Sequence, residues 1–208
     1  MSEAIRLLVL ARHAESTANT ARVLSGDPDR PVALTERGRA QSRALGAQLA
    51  NLHIDLAVGT RFLRTKETID IALHGRDVPV LVEPGFDELR VGDLDGAPME
   101  TYWAWKHQHT LDDRFPHGES PDDALRRYAN ALRSLLDRTE AVTLVVLHEF
   151  ALRAIAFAAA DGSPLPAEAV GNAIPFLFDE HAAGRAVLGL DAMATSVPPG
   201  TRFPAAGI

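Results

Sequence analysis

The sequence predicts an α/β fold: a three-layer α/β/α sandwich with a largely parallel central sheet and a long active-site insertion. Three observations carry this expectation. Short apolar runs alternate with amphipathic stretches of helical period, the pattern of strands joined by crossover helices. Three of the apolar runs end in polar or charged residues, as strands do at the ligand-facing edge of an open parallel sheet. Residues 83–117 carry Gly, Pro, Trp and His without a clean period, a stretch too long for a mere connector and suited to cover a site.

The elements follow in order. Residues 7–10 (Leu-Leu-Val-Leu) read as a buried strand ending near Arg12 and His13. A polar turn covers 27–31, and Thr35 is a fitting N-cap for a helix reaching about residue 52, with Ala40, Ala44, Leu45, Ala47 and Leu49 as its apolar stripe. Residues 55–58 form a second strand with Thr60 at its end, and a helix covers 64–73. Residues 78–82 form a third strand. Within the long insertion, 99–107 has helical character. Ser120 and Pro121 open a strongly amphipathic helix over 121–139. Residues 143–147 are the most hydrophobic strand, His148 ends it, and a helix covers 150–160. Two final strands near 173–178 and 186–190 are expected to pair at an edge. The expected domain spans 1–193. The stretch from 194, with Pro198, Pro199, Gly200 and Pro204, is expected to be a poorly ordered tail.

Composition narrows the function. The chain has 208 residues, of which 46% are hydrophobic and 24% charged; this suits a globular protein that needs no covalent staples. It has no cysteine, which removes disulfides, thiolate metal sites and cysteine nucleophiles from consideration. The net charge of -7 argues against a general nucleic-acid binder. It permits an anionic substrate, because clustered arginines can build a positive pocket in an acidic protein. The N-terminus has no basic segment before a long apolar one, and the apolar run at 151–160 is interrupted by Arg153 and too short to span a bilayer. A soluble cytoplasmic protein is expected, with no membrane partner.

The polar strand ends carry the chemistry. In a parallel sheet Arg12-His13, the segment from Thr60 through Arg61, Arg64, Thr65 and Thr68, and His148-Glu149 come to one edge. Helices starting just beyond them aim their N-termini at the same place, which suits an anion. An imidazole nitrogen attacking phosphorus while guanidinium groups hold the oxygens is the chemistry such a set supports.

These segments resemble the histidine phosphatase superfamily, which includes cofactor-dependent phosphoglycerate mutases and many small phosphatases. The resemblance lies in an ordered series: Leu10-Ala11-Arg12-His13-Ala14-Glu15-Ser16 with Asn19; Ser25-Gly26; Leu34-Thr35-Glu36-Arg37-Gly38-Arg39-Ala40-Gln41; Thr60 to Thr68; Glu88 to Gly96; Pro116-His117-Gly118-Glu119-Ser120; and Leu147-His148-Glu149 through Arg153, with Asn172. It implies that His13 is the nucleophile that becomes phosphohistidine. It implies that Arg12 and Arg64 hold the phosphoryl oxygens, that His148 donates to them, and that Glu88 is the general acid and later base. Asn19, Ser25, Gly26 and the position of Glu149 are implied phosphate or substrate contacts. The arginines and histidines supply the positive charge, so neither a metal nor a cofactor is expected.

Several residues have plainer readings. Asp87 rivals Glu88 as the acid, and Glu88 is favoured by its spacing to Gly92 and Gly96. Arg61 reads as a solvated rim residue. His107 and His109 look like a metal pair, but alternate residues share a face only on a strand, and this region reads helical. Glu149 stands where the resembling family has glycine, which lets backbone approach phosphate; its charge would repel the substrate if it pointed inward, so its side chain is expected to turn away from the pocket.

The expected activity is metal-independent hydrolysis of a small-molecule phosphomonoester. One alternative is a cofactor-dependent phosphoglycerate mutase. The insert at 97–115 balances Lys106 and Arg114 against Glu100, Asp112 and Asp113, which favours a phosphatase. The other alternative, motivated by Glu149, is a catalytically weak phospho-ligand binding or regulatory protein. Leu94, Met99, Tyr102, Trp103, Trp105 and Phe115 suggest a pocket that takes more than a bare small acid. A homodimer is left open.

Overall fold

The computed structural model describes residues 6–160 and 170–196. Five strands, β1 (Leu7–Arg12), β2 (Leu56–Gly59), β3 (Val80–Val82), β4 (Val142–Leu147) and β5 (Pro175–Asp179), form one sheet in the order β3-β2-β4-β1-β5. The four strands β3, β2, β4 and β1 are mutually parallel, and β5 runs antiparallel on the edge beside β1. Helices α1 (Thr17–Ala21), α2 (Glu36–Gln48), α3 (Leu63–Ala72), α4 (Met99–Gln108), α5 (Pro121–Leu136), α6 (Glu149–Ala159) and α7 (Glu180–Ser196) complete the described residues.

Side-chain alternation along the strands makes the layers. Leu8, Leu10, Leu56, Val58, Val145 and Leu147 face one core, which they share with the apolar stripes of α5, α6 and α7. Val9, Ala11, Ala57, Leu144 and Val146 face the other, against Leu45 and Leu49 from the α2 side and Ile69 and Ala72 of α3. Apolar residues on both faces are what a parallel sheet covered by helices requires. The expected sandwich is therefore present.

Local chemistry sets the helix starts. Thr35 caps α2 by accepting from the Gly38 amide. Ser120 and Asp123 form a reciprocal capping box at α5, with Pro121 in the first turn. Gly38 has a second role. A Cβ there would lie 2.0 Å from the Glu15 carbonyl oxygen, so α2 rests directly on the backbone that leaves β1. Gly38→Ala is expected to destabilise the fold by about 2 kcal/mol or more through overpacking against backbone. The check is a lower denaturation midpoint with an unchanged slope.

The chain's end differs from expectation. The region expected as a strand near 186–190 lies within α7. Its buried residues Ala183, Ala186, Val187, Leu190 and Ala194 recur at helical spacing, and this longer period outweighs the short apolar run that resembles a strand. So β5 pairs with β1 and not with a following strand. Helix α7 continues to Ser196; the remainder of the expected tail, 197–208, lies outside the described residues. The insertion holds two 3-10 turns, Pro84–Phe86 and Gly92–Leu94, besides α4.

Candidate active site

The register places the three polar strand ends side by side. Arg12 pairs with Leu147, and Val58 pairs with Val145, so residues 12–13, 59–60 and 147–148 meet at the C-terminal edge of the sheet. His13 is fixed there by its backbone. Its amide donates to the Leu147 carbonyl (2.9 Å), and its carbonyl accepts from Asn172 Nδ2 (2.8 Å). The next amide, of Ala14, donates to Thr68 Oγ1 (3.0 Å).

The His13 ring is buried, and its Nδ1 lies 2.7 Å from the Ala14 carbonyl oxygen. A carbonyl can only accept, so the proton sits on Nδ1 and the lone pair on Nε2. Arg64 Nε donates to that Nε2 at 3.0 Å, which fits the same tautomer. Burial first, and then the Arg64 and Arg12 charges, push the His13 pKa well below its ordinary value. A neutral imidazole with its lone pair turned toward the guanidinium groups is the form a nucleophile needs.

Arg64 projects from the first turn of α3 and is itself buried. Its terminal nitrogens donate to Ser25 Oγ (3.1 Å), to the Ser25 carbonyl (2.9 Å) and to His148 Nδ1 (3.1 Å). Its Cζ lies 4.3 Å from the centre of the Phe62 ring. Burial lowers its pKa to about 10, opposed by the Glu88 charge, so it stays cationic at neutral pH. His148 ends β4 and is the N-cap residue of α6. Arginine only donates, so His148 Nδ1 accepts here, and Nε2–H is directed to Thr60 Oγ1 at 2.9 Å. Its pKa is also lowered, by burial and then Arg64. The two imidazole rings lie 5.4 Å apart, centre to centre.

Sequence reasoning placed Thr60 among residues suited to phosphate. In the structure its hydroxyl lies between His148 Nε2 and Thr65 Oγ1 (3.0 Å), so it orients the second histidine. A hydroxyl can accept or donate, and Thr60 therefore supports either neutral tautomer of His148.

Glu88 reaches the same cluster from the insertion. Its Oε1 accepts from the Leu89 amide (2.9 Å), and its Oε2 is 3.8 Å from His148 Nδ1. Burial raises its pKa, against the lowering effect of Arg64. Asp87, the rival acid, is committed elsewhere. It is buried and accepts from the Arg61 amide (3.1 Å), Nε (2.6 Å) and a terminal nitrogen (2.5 Å). Arg61 is half exposed, yet it has this fixed partner and is more than a solvated rim residue. Arg127 clamps the loop below Glu88. It donates to the carbonyls of Gly85 (3.1 Å) and Asp87 (2.9 Å), and to Glu119 Oε1 (2.6 Å). Buried Glu119 also holds Arg90 (3.0 Å). The motif containing Glu119 is visible in sequence, but its arginine partners have no spacing that reveals them.

The expected ligand contacts divide. Asn19 Oδ1 accepts from the Ser16 amide and hydroxyl, both at 3.0 Å, and so caps α1. Ser25 holds Arg64, as described above. Gly26 donates its amide to Asp95 Oδ1 (2.6 Å) and lies too close to the Leu89 carbonyl for a side chain, whose Cβ would sit at 2.4 Å. Glu149 contradicts the expectation that its side chain turns away. It lines the pocket, with Oε2 2.8 Å from an Arg12 terminal nitrogen and Oε1 3.0 Å from Arg153 Nε. Two guanidinium groups offset the charge that was expected to expel it. The same Arg12 nitrogen lies 3.4 Å from the Val170 carbonyl. Arg12 Nε is buried and has no acceptor among the described residues, a donor that a bound phosphoryl oxygen would satisfy.

The pocket above these groups is lined by Leu24, Leu89, Val91, Met99, Tyr102 and Phe150, together with Glu88 and Glu149. His109 stacks on Trp105 with ring centres 4.3 Å apart. Among the described residues no three side chains of metal-ligating type come together, and no helix is long and apolar enough to cross a membrane.

The model of the histidine phosphatase superfamily (branch 1) matches residues 8–171. The 2,3-bisphosphoglycerate-dependent phosphoglycerate mutase 2 of Gloeobacter violaceus is 31% identical over 195 residues, covering 86% of this chain and 87% of that protein. The adenosylcobalamin/alpha-ribazole phosphatase of Salmonella typhimurium is 34% identical over 106 residues, 47% of this chain and 52% of that protein. Among solved structures, Bacillus stearothermophilus YhfR superposes with a TM-score of 0.71 at 23% identity, covering 97% of this chain and 96% of its own, which speaks to the fold alone.

Proposed function

Because this chain belongs to the histidine phosphatase superfamily, we propose that it hydrolyses a small-molecule phosphomonoester without a metal, through a phosphohistidine on His13. The observation that carries this reading is the His13 Nε2 lone pair, set by the Ala14 carbonyl and facing Arg64. A substrate phosphate takes over the Arg64 and Arg12 donors, which frees Nε2 for in-line attack. The bond from Nε2 to phosphorus forms as the bond to the leaving oxygen breaks, and Glu88 gives that oxygen its proton. His148 donates from Nδ1 once Thr60 turns its hydroxyl hydrogen toward Nε2. In the second half, Glu88 takes a proton from water, the water oxygen attacks phosphorus, and the bond to His13 breaks. Inorganic phosphate leaves and neutral imidazole returns.

A phosphoglycerate mutase shares the first half of this sequence, and the mutase name of the Gloeobacter violaceus relative gives that reading its support. The apolar lining of the pocket favours hydrolysis of a less charged ester. Rapid-quench mixing with a radiolabelled phosphomonoester is expected to trap an acid-labile label on His13, followed by release of phosphate to water. Efficient return of the label to a glycerate acceptor would establish the mutase instead. Absence of the label, with ligand binding retained, would leave a phospho-ligand binding protein. The net charge of -7 and the largely apolar pocket support a small-molecule partner rather than nucleic acid.

A further inference from the structure

Glu149 has a role beyond the hydrolytic cycle. It is the first residue of α6, and its carboxylate joins two arginines of different elements: Arg12 at the end of β1 (2.8 Å) and Arg153 one turn further along α6 (3.0 Å). The carboxylate is partly exposed toward the pocket, while both guanidinium groups are mostly buried. It therefore occupies a donor of Arg12 that a phosphoryl oxygen would use. When phosphate takes Arg12, Glu149 keeps Arg153 and presents its freed oxygen to whatever extends from the phosphate.

What extends from the phosphate lies between Glu149 and the apolar residues Leu24, Val91, Met99, Tyr102 and Phe150. Glu88 lies on the same wall. Arg153 lines the same pocket, and its guanidinium is paired with the Glu149 carboxylate. Lys106 sits on the α4 side, 5.4 Å from the Trp103 ring centre. Burial and then Arg153 lower its pKa. A second anionic group on the ligand would thus enter beside a carboxylate in a partly desolvated pocket, where like charges cost more than in water. An uncharged or cationic group would meet no such penalty.

We propose that Glu149 is a specificity-determining residue that restricts the site to phosphomonoesters with an uncharged or cationic, largely apolar alcohol portion, and disfavours those with a second anionic group. This rests on the phosphate-binding reading above, so the test uses binding, which does not require turnover. Two isosteric ligands isolate charge: 4-carbamoylphenylphosphonate and 4-carboxyphenylphosphonate, titrated by calorimetry into the intact protein. The wild type is expected to bind the carbamoyl ligand about tenfold more tightly, a preference that falls as salt rises. Glu149→Gln is expected to bring the ratio close to one, and Glu149→Asp to keep most of the wild-type preference. A wild-type ratio of one, a preference for the carboxylate, an unchanged ratio in the Gln variant, or no binding of either ligand would overturn the proposal. If the Gln variant does not fold, Glu149→Ser removes the same charge and is also expected to bring the ratio close to one, an unchanged ratio there overturning the proposal. A trapped phosphohistidine with an unchanged ratio would sink the selectivity and leave the hydrolase. A shifted ratio with no phosphohistidine would do the reverse.

Discussion

Replacing His13 with alanine is expected to lower kcat for phosphomonoesters by about 10⁴-fold or more, since the variant lacks the atom that forms the intermediate. The loss should be chemical and not structural. Residue 13 is held mainly through its backbone, by the Leu147 carbonyl and the Asn172 side chain, and alanine keeps both contacts. The ring contributes one hydrogen bond to the Ala14 carbonyl and accepts one from Arg64, so its removal costs a modest amount of stability, on the order of 1–3 kcal/mol. Phosphate affinity should fall little, because Arg12, Arg64 and His148 remain. The truncation also leaves a ring-shaped space beside Arg64. Added imidazole is therefore expected to restore part of the activity with saturation, as a free nucleophile in place of the tethered one. A variant that folds, binds phosphate and still turns over at the wild-type rate would show that another group carries the phosphoryl.

Much of this arrangement is legible in the sequence, because strand and helix periods and strand-end residues are local signals. The buried runs of β1, β2 and β4, the Thr35 and Ser120 caps, and the polar residues at three strand ends are each written in a few adjacent positions. Parallel pairing then brings His13, Arg64 and His148 together. What the sequence withholds is which polar side chains face each other across long separations. Asp87 and Glu88 are neighbours of the same charge, and only the position of Arg61 separates an ion-paired carboxylate from a site-facing one. Glu149 read as an intruder because repulsion from substrate was the visible force. Its two arginine partners lie 137 positions before it and 4 after it, and only the second spacing is a local signal. The α7 region failed for another reason: a short apolar run imitates a strand when its window misses the helical period of the 17-residue element around it.

The second large effect belongs to Glu88. Catalysis as proposed needs a neutral imidazole and a neutral carboxylic acid at the same time. At ordinary values, about 6.5 for histidine and 4.3 for glutamate, little of the protein would hold both, because the acid loses its proton before the imidazole does. The structure moves both groups toward coexistence. Burial, with Arg64 and Arg12, lowers His13, and burial raises Glu88 against the pull of Arg64. Activity should therefore fall on the acid side as His13 gains a proton, at a pH below the ordinary histidine value. It should fall on the alkaline side as Glu88 loses its proton, at a pH above the ordinary glutamate value. Glu88→Gln keeps the shape and the Leu89 contact but cannot transfer a proton. Its kcat is expected to drop about 10³-fold for sugar or glycerol phosphates, whose alkoxides leave poorly without protonation, and far less for 4-nitrophenyl phosphate, whose phenolate leaves unaided. The alkaline limb of the wild-type profile should vanish in the variant when both are measured on one substrate, so that the ester's own ionisation cancels. Equal losses on good and poor leaving groups, or an alkaline limb that survives the substitution, would assign the proton to another donor and return Asp87, freed from Arg61, to consideration.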